Sequence, residues 1–238
     1  MTRPPLLATA DRRIDPVDVD PPLPLDALCP GVGDWEVELG FGKGRFLLGA
    51  AARRPTTRFL GIEMAAKYFR LVEHRTRRRA LPNVLLLRGE ALYLLGALLP
   101  RGFAAAVHVY FPDPWPKDRH HKRRLFDAAT VDLVLGLLRR DGELWFATDF
   151  RDYGASVDAL LRSHPALEVE SLAAWPDGPR TNYEIKYERE GRSIRRLVAR
   201  LRPEVPLVHP TGLESLAVAH RGGADDDPAE AADAGGAG

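Results

Sequence analysis

Short apolar runs alternate with amphipathic segments from Trp35 onward. Six runs have the length and composition of strands, and they are residues 35–39, 58–63, 83–90, 105–112, 142–150 and 167–171. The segments between them predict helices at residues 43–53, 65–80, 91–99, 122–140 and 151–163. The pair Asp141-Gly142 predicts a turn between the fourth of these helices and the fifth strand.

Strand–helix alternation of this kind predicts a doubly wound α/β fold, with a mostly parallel sheet and helices on both faces. Ligands of such folds bind outside the carboxyl ends of the strands, near the point where the strand order reverses. Residues 194–201 fit either a helix face or an alternating strand, and periodicity leaves that segment open.

The two ends of the chain differ in pattern from its middle. Residues 1–33 are rich in proline and polar residues, which predicts an N-terminal arm or linker. Residues 34–202 form the predicted folded domain. Residues 203–238 form a C-terminal extension rich in Gly, Ala and acids, and disorder is expected from about residue 222.

Composition narrows the class of protein. The 238 residues suffice for one substantial core. Cys29 is the only cysteine, so an intramolecular disulfide and a cysteine zinc site are excluded. Apolar runs stay below the roughly 18 residues that span a bilayer, and the N-terminal residues lack the apolar region of a signal peptide. These features predict a cytoplasmic protein without membrane association.

The net charge of +1 conceals an asymmetry. Residues 222–238 contain five acidic residues and no basic one, so the remaining chain carries +6. Residues 70–79 hold five arginines and residues 117–124 hold five lysines and arginines. An Arg-rich helix is most often a solvated surface, and only proximity to a site would change that interpretation of residues 70–79.

A glycine-rich turn follows the first predicted strand, where residues 38–44 read ELGFGKG. Gly40, Gly42 and Gly44 allow a sharp turn and a close approach of backbone to ligand. Their spacing differs from the G-x-G-x-x-G fingerprint of dinucleotide-binding proteins. It is typical of the tight loop in S-adenosylmethionine enzymes.

Three acids lie at or near the ends of the first three predicted strands, namely Glu38, Glu63 and Glu90. Glu63 can accept hydrogen bonds from ribose hydroxyls, Glu90 can accept from an adenine amino group, and Glu38 can complement a cationic group. The three carboxylates would repel one another unless a cationic, donor-rich ligand lay among them. S-adenosylmethionine offers a sulfonium, an ammonium and two hydroxyls.

The fourth predicted strand ends in a proline-stiffened turn followed by cations, since residues 110–125 read YFPDPWPKDRHHKRRL. A basic segment beside a strand end favours a polyanion lying over the site. Trp115 fits either core packing or stacking on an extruded base. His120 and His121 have no acidic or histidine partner at ligand spacing, so a metal role is not expected.

Five motifs together resemble the bacterial tRNA (guanine-N7-)-methyltransferase family over roughly residues 35–200. They are ELGFGKG (38–44), GIE (61–63), FPDPWPKDRHHKRRL (111–125), ATDF (147–150) and TNYEIKYEREG (181–191). The resemblance implies a seven-stranded, Rossmann-like sheet of the S-adenosylmethionine-dependent methyltransferase type, with an antiparallel last strand near residues 194–201. It also implies methyl transfer from S-adenosylmethionine to N7 of a guanine in the tRNA variable loop.

The resemblance assigns roles to matched positions. Cofactor contacts fall on the glycine loop and the acids, that is Glu38, Gly40, Gly42, Gly44, Glu63, Glu90 and Asp113. Guanosine contacts fall on Lys117, Asp149, Thr181, Asn182, Tyr183 and Glu184. Contacts with the RNA backbone fall on Arg119, His120, His121, Lys122, Arg123 and Arg124. The expected partner is tRNA, with no metal, and the oligomeric state (monomer or homodimer) stays open.

Guanine N7 has a free lone pair and no hydrogen, so its methylation needs no obligatory proton removal. Asp113 and Asp149 are therefore the catalytic candidates through positioning and charge stabilisation rather than as general bases. Three rival interpretations stay open. One is an exocyclic-amine nucleic-acid methyltransferase, although Asp113-Pro114-Trp115 has one proline where that class typically has two. The others are a non-catalytic RNA-binding module and a small-molecule methyltransferase.

Overall fold

A computed structural model describes residues 7–9, 12–14, 20–115, 117, 120 and 124–205. Its strands are β1 (Leu7–Thr9), β2 (Arg12–Ile14), β3 (Trp35–Leu39), β4 (Arg58–Glu63), β5 (Val84–Arg88), β6 (Ala104–Tyr110), β7 (Leu138–Thr148), β8 (Leu167–Leu172) and β9 (Arg195–Leu201). Its helices are α1 (Leu25–Leu28), α2 (Arg45–Arg53), α3 (Ala66–Arg78), α4 (Ala91–Tyr93), α5 (Ala128–Leu137), α6 (Arg151–Ser163) and α7 (Asn182–Arg189). Among the described residues, no helix is both long and apolar enough to cross a bilayer.

The strands form one sheet in the order β2-β1-β5-β4-β3-β6-β7-β9-β8. Strands β3 to β7 are parallel to one another, and β9 runs antiparallel to both β7 and β8. The predicted seven-stranded, doubly wound sheet with an antiparallel last strand is therefore confirmed. The short β1–β2 hairpin extends that sheet beyond β5. The strand order reverses between β3 and β6, and the carboxyl ends of both lie at one edge.

Helices cover both faces of the sheet. On one face α2 and α3 pack through side chains such as Phe46, Leu47 and Val72. On the other face α5 and α6 pack through side chains such as Val134 and Leu161. The central strands are buried on both faces, so β5 and β6 have near-continuous apolar sequences. In β3, apolar residues alternate instead with the buried acids Glu36 and Glu38.

The helix predicted at residues 122–140 is shorter than expected. It begins at Ala128, where the Asp127 side chain accepts a hydrogen bond from Thr130 N at 2.8 Å. It ends at Leu137, and residues 138–148 form β7, so the turn predicted at Asp141-Gly142 is wrong. Those residues lie instead in a bulge, because the register passes from Ala104↔Leu138 to Ala106↔Glu143. The helix is buried on nearly all sides, so no apolar stripe marks its end.

The segment after β5 also differs from the prediction. The strand ends at Arg88 rather than at residue 90, and the helix predicted at residues 91–99 is one α-turn followed by a π-helical turn at Leu94–Leu98. Residues 195–201, which periodicity left open, form β9. Sequence analysis missed α7 altogether.

Candidate active site

The glycine loop after β3 opens toward the carboxyl edge of the sheet. Gly40, Gly42 and Gly44 all have positive φ, at 72°, 50° and 71°, which L side chains rarely adopt. A Cβ built on Gly40 or Gly42 would meet nothing within 4 Å, so these two glycines face open space. A Cβ on Gly44 would come 2.7 Å from Val72 Cγ2, so that glycine lets α2 pack closely against α3.

Glu63, the last residue of β4, holds this loop in place. Its Oε2 accepts a hydrogen bond from Gly42 N at 2.9 Å, and its Oε1 accepts one from Ala65 N at 2.9 Å. Burial raises the pKa of Glu63, and the nearby charge of Asp113 raises it further. The backbone bonds use one lone pair on each oxygen, which leaves acceptor capacity for a ligand.

Glu38 is a buried acid with no ion-pair partner among the residues that the structure describes. The residue is 4% exposed, and its Oε2 has no hydrogen-bond partner among the described residues. Burial raises the pKa of Glu38 well above its usual range, although the Leu47 backbone N–H bonds to the carboxylate, and Glu63 adds repulsion. An unpaired buried carboxylate is costly, and a cationic ligand would stabilise its ionised form. This oxygen fits the cationic portion of the predicted cofactor.

Glu90 does not close β5, as the sequence suggested, but caps the helix that follows. Its two carboxylate oxygens accept hydrogen bonds from Leu92 N at 3.0 Å and Tyr93 N at 2.7 Å. The capping bonds fix the Glu90 side chain at the beginning of α4. Its contact with an adenine amino group stays a prediction.

The turn after β6 carries Asp113 between two residues with unusual backbone conformation. Phe111 and Trp115 have φ of 52° and 40°, which non-glycine residues seldom adopt. Such conformations persist only where the surroundings impose them, and they cluster at functional sites. Asp113 is exposed at this turn, yet partial desolvation by its surroundings raises its pKa.

Arg124 contacts the turn after β6 through the backbone of Pro114. Its Nε donates to Pro114 O at 2.8 Å, and its guanidinium lies 5.0 Å from the centre of the Tyr153 ring. Its place in the structure is therefore support of the turn, and its predicted RNA contact stays a prediction. Lys117 is exposed, and the His120 ring packs edge-on against Trp115 at 5.6 Å. The other predicted RNA-binding residues, Arg119, His121, Lys122 and Arg123, lie outside the described residues.

An aromatic cluster connects the turn to α7. The Phe111 ring lies 6.2 Å from Tyr183 and 5.6 Å from Tyr187, and the two tyrosines stack at 5.9 Å. Tyr183 is 51% exposed, so a broad ring face is available at the edge of the sheet. Burial raises the pKa of the Tyr183 hydroxyl, and the charges of Asp113 and Glu63 raise it further, so this ring lies near both acids.

Asp149 comes directly after β7 and is paired with a residue that sequence analysis missed. Its Oδ2 accepts a hydrogen bond from Arg192 Nη1 at 2.9 Å, and the Arg192 guanidinium lies 4.3 Å from the centre of the Tyr187 ring. Arg192 follows Gly191, whose φ of 68° ends α7 in a left-handed turn. Gly191 was the available sequence signal, because a glycine commonly follows the last turn of a helix.

Thr181 and Glu184 close the beginning of α7 in a variant of the capping box, in which Glu184 accepts from the residue before the cap. The Thr181 hydroxyl accepts from Glu184 N at 3.0 Å, and Glu184 Oε2 accepts from Arg180 N at 2.7 Å. Glu184 Oε1 also binds Arg196 Nε at 2.7 Å, and Glu184 is fully buried. The structure therefore gives Glu184 a supporting role, and its predicted guanosine contact stays a prediction. Of this stretch, Asn182 and Tyr183 are exposed.

The arrangement suits a cationic nucleoside and a second planar ring. The open loop, Glu63 and the unpartnered Glu38 oxygen lie at the ends of β3 and β4, and Asp113, Asp149 and the aromatic cluster lie at the ends of β6 and β7. Parallel strands bring all these ends to one edge. No group of His, Cys, Asp and Glu within the described ranges could hold a metal ion.

The comparisons with known proteins agree with this geometry. The family model described as "Putative methyltransferase" matches residues 34–197. A tRNA (guanine-N(7)-)-methyltransferase of Nitrosococcus oceani is 33% identical over 174 residues, covering 73% of this chain and 74% of that protein. The protein of the same name from Leifsonia xyli subsp. xyli is 37% identical over 173 residues, covering 72% and 76%.

Solved structures share the fold. A 30S ribosomal A1408 methyltransferase from an uncultured bacterium is similar with a TM-score of 0.55 at 15% identity, covering 83% of this chain and all of that one. The aminoglycoside resistance methyltransferase NpmB1 is similar with a TM-score of 0.54 at 21% identity, covering 75% and 92%. At these identities the likeness shows the fold alone.

Proposed function

The chain belongs to the tRNA (guanine-N(7)-)-methyltransferase family, as its motifs predict, and we propose that it methylates N7 of a guanine in the variable loop of tRNA. S-adenosylmethionine supplies the methyl group. The observation that carries the cofactor assignment is the buried, unpartnered Glu38 oxygen beneath an open glycine loop. A ligand that is cationic and bears ribose hydroxyls complements both Glu38 and Glu63.

The residues of this chain contribute orientation and electrostatics. Guanine N7 needs no proton removed, so the rate depends on aligning its lone pair with the transferred methyl group. Positive charge grows on the purine during transfer, and Asp113 and Asp149 would stabilise that charge. Tyr183, with its exposed ring, would stack on the base and limit its motion.

Selectivity for guanine follows from the same acids. Guanine presents N1–H and an exocyclic amine, which are donors that suit a carboxylate. Adenine would present the unprotonated N1 acceptor to the acid instead. A mismatch of this kind in a polar pocket discriminates far more strongly than a missing methylene does. We place this reading of the base on Asp149, with Asp113 beside the cofactor.

The test is methylation of unmodified bulk tRNA with labelled S-adenosylmethionine, followed by nucleoside analysis and mapping of the labelled fragment. The expected product is 7-methylguanosine in the variable-loop fragment. A label on an exocyclic nitrogen would favour the amine-methyltransferase alternative. Cofactor binding without transfer to any RNA would favour a non-catalytic module.

Glu63→Ala is expected to weaken S-adenosylmethionine binding by roughly five- to 150-fold. The hydrogen bonds that Glu63 would make to two hydroxyls are worth on the order of 1–3 kcal/mol, and its bond to Gly42 N also shapes the loop. Calorimetric titration measures the affinity. Glu168→Ala, which removes an exposed carboxylate from β8, is the matched control. An unchanged affinity in folded Glu63→Ala would refute the assignment.

Cofactor binding is expected to release a proton from Glu38. Burial raises the pKa of the free Glu38 carboxyl, and a bound cation would lower it, so the proton leaves on binding. Affinity should therefore rise with pH between the pKa values of the bound and free forms. Calorimetry in two buffers of different ionisation enthalpy counts the protons. Glu38→Gln should remove this proton release, and an identical count in both proteins would contradict the prediction.

A further inference from the structure

A cavity of about 780 Å³ lies beside the acid-lined edge, between α2, α3 and the segment at residues 177–182. We call it the basic groove after its cationic lining, which includes Lys43, Arg45, Arg53, Arg75, Arg78 and Arg79. Asp177 is the one acid among the described residues that line it, and Arg180 pairs with Asp177 at 3.0 Å. The groove therefore has a strong excess of positive charge.

These cations are available to a ligand. Lys43, Arg45, Arg53, Arg78 and Arg79 are exposed, and none of them pairs with a carboxylate in the part of the chain that the structure describes. Arg75 differs, because its guanidinium donates to Lys43 O at 2.8 Å and so joins α3 to the glycine loop. Like charges gathered along a furrow raise the local potential and attract a polyanion.

The groove is continuous with the proposed active site. Lys43 and Gly44 belong to the glycine loop, and Asn182 lines the groove while its neighbour Tyr183 lies in the aromatic cluster. From this end the groove follows α2 down to Arg53, a length of roughly 13 Å at 1.5 Å per residue. That length is several times the roughly 3.4 Å that separates neighbouring phosphate charges along one strand of a duplex.

We propose that the basic groove is a second tRNA-binding surface that holds the sugar–phosphate backbone next to the target guanine. The inference rests on the proposed function. The groove lies on the face of the sheet that α2 and α3 cover, so the tRNA backbone would run from the carboxyl edge onto that face.

The deciding variant is Arg78→Gln combined with Arg79→Gln, at two exposed positions at the C-terminal end of α3. We expect tRNA affinity at low salt to fall roughly tenfold and the log–log salt slope to fall by about two. S-adenosylmethionine affinity should be unchanged. At saturating tRNA the product should still be 7-methylguanosine, with an increased KM for tRNA.

The matched control is Arg140→Gln combined with Arg202→Gln, which removes equal charge at the opposite edge of the sheet, where both side chains donate to backbone carbonyls. An equal loss of affinity in this control would overturn the proposal, since net charge alone would explain it. If the wild type methylates tRNA and the groove variant shows the same log–log salt slope as the wild type, the proposal is also overturned.

Inorganic phosphate is the probe for a small-anion site. If phosphate binding is lost in the groove variant while tRNA affinity and slope are retained, the groove holds a small anion and the proposal is wrong. Failure of the wild type to bind or methylate tRNA would instead refute the proposed function, and the role of the groove with it.

Discussion

Asp149→Ala is expected to lower the single-turnover rate of methyl transfer at saturating tRNA by a hundredfold or more. The carboxylate lies directly after β7 at the edge where the base would enter. Losing one group that stabilises developing charge typically costs about 10²–10³ in rate. Affinity for S-adenosylmethionine should change little, because none of the cofactor contacts is assigned to the end of β7. Rapid-quench transfer assays and calorimetry separate the two quantities.

The ion pair with Arg192 demands a control for this variant. Asp149→Ala also releases a guanidinium that lies over the Tyr187 ring. Arg192→Gln breaks the same exposed pair while keeping the acid, so its effect on the chemical step should be several-fold at most. Equal losses in both variants would mean that Asp149 acts by holding Arg192. Near-normal chemistry in Asp149→Ala would move recognition of guanine to Asp113.

The sheet was predictable because its central strands are buried on both faces. Strands such as β4 and β6 therefore appear in the sequence as short apolar runs. The bulge at residues 139–142 was not predictable, because the same Asp-Gly pair fits a turn or a bulge equally well. The ambiguous segment 195–201 is a strand because it pairs with β7, and such long-range pairing is not contained in local periodicity.

Strand-end acids were predictable in position but not in their partners. Glu38 and Glu63 lie at the expected edge, whereas Glu90 caps a helix. The sequence T-N-Y-E at residues 181–184 fits a capping box, and this signal for α7 was available but was interpreted only as a substrate contact. Arg192 and Arg196 could not be paired with their acids from sequence alone, because each pair joins different elements.

A buried network of hydrogen-bonded side chains could not be predicted from sequence patterns. Glu36 accepts from Arg54 Nη2 at 2.8 Å and contacts His108 Nε2 at 3.0 Å, and His108 Nδ1 contacts the Tyr110 hydroxyl at 2.9 Å. Arg180 Nη1 donates to that hydroxyl at 2.6 Å. Buried polar groups need such partners, and here they link β3 and β6 to the loop before α7. Arg180 N in turn bonds to Glu184, so the network ends at the capping box.

Glu184→Ala is expected to lower the free energy of unfolding by about 3–5 kcal/mol, because it removes the fully buried carboxylate of the Arg196 ion pair and leaves only the exposed Glu188 to balance that guanidinium. Glu184 is fully buried and Arg196 is 5% exposed, so little solvent can replace the lost contact. For a chain of this size the melting temperature should fall by roughly 10 °C. Denaturant unfolding with an unchanged m-value measures the difference.

Glu188→Ala is the matched control, since Glu188 pairs with the same arginine through Nη2 at 2.5 Å but is an exposed acid on the outer turn of α7. Its removal should cost at most about 1 kcal/mol. The pair of variants also separates the two roles considered for Glu184. A supporting residue should lose stability first and transfer rate only through disorder of α7, so the rate should recover on cooling well below the melting transition. A residue that contacts guanosine should lose rate at every temperature while melting like wild type, and that outcome would support the contact implied by the family resemblance.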